Sequence, residues 1–184
     1  MTETENNPIY DRNTLEFVTV ALEYCSFVES TMQYSFYAFA DKAIKILPLL
    51  YLKAALLPPV VESEEVEPEQ FVTEEMYESV REKIAVLLGE KDTYLETFHP
   101  DMQYSDTPIA AFISESLADV YQDNANFVGV FRQGHEPTML EAIALCRMNF
   151  ENYWGQQLLN GLKALHAIRF DADNDPETMS ENEE

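Results

Sequence analysis

Apolar residues recur every three to four positions through nearly the whole of this 184-residue chain, and no convincing period-two pattern competes with them. That periodicity commits the chain to helices, whose apolar faces must be buried against one another in a shared core. Five helical segments follow. The first covers about residues 13–32, with Asn13 as its N-cap and Leu15, Val18, Leu22, Cys25 and Val28 on one face. The second, about 35–57, is apolar almost all round, which is the mark of a helix at the centre of a bundle. Pro48 kinks or splits it, and Pro58-Pro59 ends it. Thr73 caps the third, Tyr77, Val80, Ile84 and Leu87 form its buried face, and Gly89 closes it. Asp106-Thr107-Pro108 reads as the start of the fourth, a capping side chain followed by proline at the first helical position, with Gln133-Gly134 as its end. The fifth starts near Glu136-Pro137 and runs to about Phe170, about 50 Å of helix. Gly155 and Gly161 inside it mark a bend or a close helix approach.

The fold class is therefore all-α: a single-domain antiparallel bundle of about five helices with a long C-terminal helix and no sheet. The expected boundaries are an acidic arm over 1–12, the bundle over 13–170 and a disordered acidic tail over 171–184. Residues 90–107 stand apart as a long connection without periodicity. It carries Tyr94, Leu95, Phe98, His99, Met102 and Tyr104, and reads as a loop pinned by its aromatics or as a lid over a site.

The charge is lopsided, with 34 acids against 11 bases and a net charge of −23. Its distribution matters more than its size. Residues 1–11, 58–82 and 171–184 together hold 19 acids and one base, Arg81, so the rest of the chain carries only −5. The second and fifth helices are balanced or slightly basic. Nucleic acid and anionic membrane are excluded as partners, because no stripe of Lys and Arg is present. No signal peptide is visible, and the most apolar run, 44–57, is too short and too charged to span a bilayer. Cys25 and Cys146 both fall on apolar stripes, as reduced buried thiols do, and the expected location is cytoplasmic.

Candidate site residues come from polar side chains that project into apolar stripes. On the fifth helix Arg147 falls in line with Leu165 and beside Trp154, with Glu151 one turn on. Asn124 lies among Val120, Phe127 and Phe131, and Glu29 close to Cys25. A guanidinium facing a core must be paired, so either Arg147 is held by Glu151 and by an acid from another helix, Glu29, in a ligand site or a buried polar network that fixes helix register, or the stripe is half exposed at that point. Trp154, His166 and Tyr104 are candidate pocket-wall residues. The carboxylates Glu74, Glu75, Glu78 and Glu82 resemble the ExxE part of helical pyrophosphohydrolases, with Glu115, Asp119 and Asp123 as the candidate second set. The matching ExxD is absent, so no metal ligands are assigned and no cofactor is expected.

Three segments, ILPLLYLKAALLP (46–58), DMQYSDTPIAAFISESLADVYQD (101–123) and NFENYWGQQLLNGLKALH (149–166), resemble an uncharacterised bacterial all-helical family, domain of unknown function 5063. The resemblance implies a soluble helical domain of this length and carries no activity, ligand or catalytic residue with it. The function expected from the residues is that of a non-enzymatic helical interaction or adaptor protein, docking a protein partner through an apolar or aromatic surface between helices. A homo-oligomer stays open. Two alternatives are a carboxylate–Mg phosphate hydrolase and a small-anion-binding bundle using Arg147.

Overall fold

A computed structural model describes residues 7–61, 66–96, 100–104 and 107–174; the expected tail lies mostly outside the described residues. The chain forms one essentially all-α domain. Its helices are α1 (Arg12–Glu29), α2 (Phe36–Ala55), α3 (Glu74–Leu88), α4 (Ile113–Gln133), α5 (Glu136–Asn149) and α6 (Gly155–Arg169). A π-helical turn, Phe150–Trp154, joins α5 to α6 without a break, so the long fifth helix of the sequence reading runs through to Phe170, its C-cap.

Local chemistry sets the ends. Asp11, rather than Asn13, caps α1, its carboxylate accepting from Asn13 N at 2.8 Å. Ser35 caps α2 and Thr73 caps α3, each side chain accepting from the third helical N–H. Gly134 closes α4 with a left-handed φ of 72°, a conformation that costs glycine nothing.

The start of α4 differs from the sequence reading. Ile109–Phe112 is a short strand, β2, paired antiparallel with β1 (Thr93–Glu96), Thr93 opposite Phe112 and Glu96 opposite Ile109. This small hairpin corrects the expectation of no sheet, and the helix begins at Ile113 rather than at Pro108. The cap arrives from elsewhere in the chain: buried Asp92 accepts from Ser114 N at 2.7 Å and from Ser114 Oγ at 2.6 Å. A distant carboxylate meets the orphan donor at the α4 N-terminus, which releases residues 109–112 to pair as a strand.

α4, not α2, is the central helix: it packs against α1, α3, α5 and α6 and buries eleven residues. α2 packs against α1 and α6 at the side of the bundle. The buried face of α1 is Phe17, Ala21, Tyr24, Cys25, Phe27 and Val28, leaving Leu15 and Leu22 exposed. The α1 stripe is thus rotated from the expected one, because the large rings of Phe17 and Tyr24 take the core positions. Phe17 meets Phe127 edge-on at 5.0 Å between centroids, and the Tyr24 hydroxyl donates to Leu117 O at 2.7 Å.

Of the two glycines in the long helix, Gly155 marks a close approach, whereas a Cβ at Gly161 would make only ordinary van der Waals contact. A Cβ on Gly155 would sit 2.6 Å from the Phe150 carbonyl, inside the π turn. On Gly161 it would sit 3.4 Å from Leu117, at the α4–α6 crossing.

Candidate functional site

α2 exposes an apolar face. On a helix that buries Phe39, Ala43, Ile46, Leu47, Leu50 and Ala54, the leucines Leu49, Leu52 and Leu56 are 43%, 52% and 44% exposed. They lie three and four residues apart and so form one strip along the helix surface. Exposed Pro48 continues the strip toward the N-terminus of α2.

Beside the strip a groove of about 450 Å³ opens between α2 and α6, lined by Ile44, Pro48, Leu159, Leu162, Lys163 and His166. Leu159 is itself 39% exposed. Pro48 has no N–H, so the Ile44 carbonyl lacks the donor that the next turn of a helix normally supplies.

The charges on this face oppose those of the rest of the protein. Three lysines against Asp41 give α2 a charge of +2. α6 has Lys163 and Arg169 and no acid, a further +2, so the remainder of the chain carries −27. α1, α3, α4 and α5 are each net negative. Lys45, its side chain 69% exposed, pairs with Asp41 at 2.6 Å on the same side of α2 as the leucines. Arg169 also reaches Asp41, at 2.9 Å, and lies over the Tyr37 ring. Asp41, between the two cations, has its carboxyl held below the usual range, first by Lys45 and then by Arg169.

The residues singled out from the sequence do not form one cluster. Arg147 is at the surface near the C-terminal end of α2, its side chain 35% exposed; it bonds Glu151 at 3.0 Å and the Leu57 carbonyl at 3.2 Å. Its expected second acid, Glu29, is exposed and accepts from the Tyr121 hydroxyl at 2.8 Å instead. The projection failed for Arg147 because the π turn inserts about one extra residue between it and Leu165, shifting the phase by about 100°. Asn124 is fully buried; its amide donates to Val120 O at 2.8 Å, and its buried Oδ1 has no hydrogen-bond partner among the described residues. Trp154 is in the core, donating to Cys146 O at 3.1 Å. His166 lines the α2–α6 groove. Tyr104 is 82% exposed.

Two further clefts flank a strap formed by residues 66–72. Asn126 Oδ1 accepts from Phe71 N at 2.7 Å and Val72 N at 2.8 Å, tying the strap across α4. On one side, Asp123, Asn149, Tyr153 and Gln122 border a cleft of about 280 Å³. On the other, Glu29, Tyr121, Cys25 and Arg132 border an open groove of about 810 Å³. Both oxygens of Asp119 are engaged, by the Tyr77 hydroxyl at 2.8 Å and the Tyr153 hydroxyl at 2.6 Å. Asp123 accepts from Asn149 at 2.6 Å, and burial pushes its carboxyl up, aided by neighbouring Asp119. Among the described residues no group of three or more His, Cys, Asp or Glu side chains converges as metal ligands. Burial raises both thiols, Cys25 and Cys146.

The α2 leucines and the α6 cations were not singled out as site residues from the sequence. Their signals were there: the all-round apolarity of 35–57 and the absence of any acid from 155 to 170.

The fold and its exposed face define a small all-α bundle, and no helix among the described residues is long and apolar enough to cross a membrane. Residues 8–171 match the family of a domain of unknown function, DUF5063, and the chain belongs to it. A crystal structure of protein BF1032 from Bacteroides fragilis is 44% identical and superposes with a TM-score of 0.81, over 89% of this chain and 96% of that one. No curated protein matches the chain.

Proposed function

We propose that this protein is a non-catalytic interaction module that docks a protein partner on the α2–α6 face. One observation carries the reading: Leu49, Leu52, Leu56 and Leu159 are exposed beside a groove lined by Ile44, Pro48 and Leu162. Single exposed leucines are ordinary on a protein surface, whereas a contiguous strip beside a concave apolar pocket is the layout of a binding surface. The polar cluster on α4 supports the same view. Tyr77 and Tyr153 each donate to one oxygen of Asp119, and Asn149 donates to Asp123, an arrangement that braces α3 and the π turn against α4. Arg147, committed to Glu151 and the Leu57 carbonyl, ties the long helix to the end of α2.

The test is site-specific photocrosslinking in the cells that make the protein. A photoreactive residue replaces Leu52 in one variant and Val86, 72% exposed on α3, in another. The expected result is a discrete covalent adduct from position 52 that position 86 does not give. No adduct at position 52, or equal adducts at both, would overturn the proposal.

A further inference from the structure

The same face carries information about its partner. Its apolar strip runs from Ile44 to Leu56 along α2, about 18 Å at 1.5 Å per residue, the length of about twelve helical residues. The concave part lies between two helices and offers no strand edge. An amphipathic helix laid into such a groove presents side chains at i, i+3, i+4 and i+7 to match it. The groove at Pro48 and Leu159 is placed to take one large apolar anchor, with Leu52 and Leu56 flanking it along the helix.

The rim decides the sign of the partner's charge. Lys163 and His166 line the groove, and Lys45 and Arg169, both bridged by Asp41, lie toward the Ile44 end of the strip, on a helix pair of net +4 in a protein whose remaining residues carry −27. A basic helix meets like charge at the rim, and a second copy of this chain brings the same cationic face along with another −23. Resting on the docking reading above, we infer that the partner segment is an acidic amphipathic helix of about three to four turns. It seats one large apolar side chain in the Ile44–Pro48–Leu159–Leu162 groove, while its carboxylates meet Lys45 and Lys163.

Three synthetic helices of about sixteen residues, with identical leucine spacing and outer faces of Glu, Gln or Lys, test this by fluorescence anisotropy against the full chain. The Glu peptide is expected to bind about tenfold more tightly than the Gln peptide at about 50 mM salt, the sum of a few exposed ion pairs, with the Lys peptide weakest. That advantage should shrink toward unity at about 500 mM salt. Lys45→Glu with Lys163→Glu should reverse the order without altering the helical circular dichroism. Equal binding of the Glu and Gln peptides, with the leucine methyl resonances of α2 shifting for both, would sink the acidic partner and leave the docking face standing. If no peptide binds and those methyls stay still, both readings fail. Two other results would also overturn the acidic helix, provided Leu52→Glu abolishes them: co-sedimentation with phosphatidylserine vesicles, which would assign the face to lipid, and a dimer in light scattering, which would assign it to a second copy.

Discussion

Replacing Asn124 by leucine should stabilise the protein. Asn124 is fully buried on the central helix, and its Oδ1 has no hydrogen-bond partner among the described residues. An orphaned buried acceptor costs about 1–3 kcal/mol. The one bond that the side chain makes, from Nδ2 to the Val120 carbonyl at 2.8 Å, shares an acceptor that the helical backbone already uses, so its loss costs about 0.5–1 kcal/mol. Leucine has the same branching at Cγ and adds apolar burial, offset in part by its larger volume. The balance is a gain of about 1–2 kcal/mol, or about 2–8 °C in Tm for a domain of this size. Thermal and urea unfolding followed by circular dichroism measure it. Asn124→Asp is the opposite arm. Burial would raise the folded-state pKa of the new carboxyl above its unfolded value of about 3.9. Its penalty would therefore be absent below that value and grow as pH rises through the folded pKa. A loss of more than about 1 kcal/mol in Asn124→Leu would refute the reasoning, because it would mean that Oδ1 has a partner whose removal matters.

Pro48→Ala should also stabilise. An interior proline costs a helix about 3 kcal/mol, of which about 0.4–1 is returned through the stiffer unfolded chain, leaving about 2 kcal/mol to be read from the urea midpoint. Gly129→Ala should cost about 1–3 kcal/mol, because a Cβ there collides with the Phe71 ring. The strap at residues 66–72 should then become the first site cut in limited proteolysis. Asp123→Asn should stabilise at neutral pH. Burial and Asp119 raise the folded-state carboxyl above its unfolded value, so stability contributed by this group is lost as pH rises through the folded pKa. The amide keeps the acceptor for Asn149, and the two proteins should converge in urea midpoint as pH falls below the carboxyl's titration range.

How far the sequence could be read depended on whether structure was set locally. Thr73, Gly89, Gly134 and Glu136-Pro137 act on their own few residues, and the structure uses each at a helix end. The start of α4 was illegible because its cap, Asp92, lies 22 residues upstream of Ser114 and arrives through the β1–β2 pairing. Arg147 was misplaced for a different reason. A projection at constant pitch cannot see a π turn, and the turn at Phe150–Trp154 moves everything after it out of phase with everything before it. Asn124 sits on a regular stretch of α4, and the same projection placed it in the core correctly.

The second helix carries the strongest argument from composition to function. Apolarity all round suggested a central position, but the central position belongs to α4, which is more polar overall and buries eleven residues. α2 therefore has more apolar surface than the bundle covers, and it has a proline that weakens the helix on that same exposed side. Neither feature helps the isolated fold. A net charge of −23, in a chain whose α2 and α6 are themselves each +2, makes copies repel one another and opposes self-association through that face. The acidity then does two things at once. It opposes self-association through the leucines, and it contrasts with the net positive charge of α2 and α6, to which the proposed acidic helix would be drawn. Orientation on the bundle would follow from charge, and affinity from the leucine strip and groove.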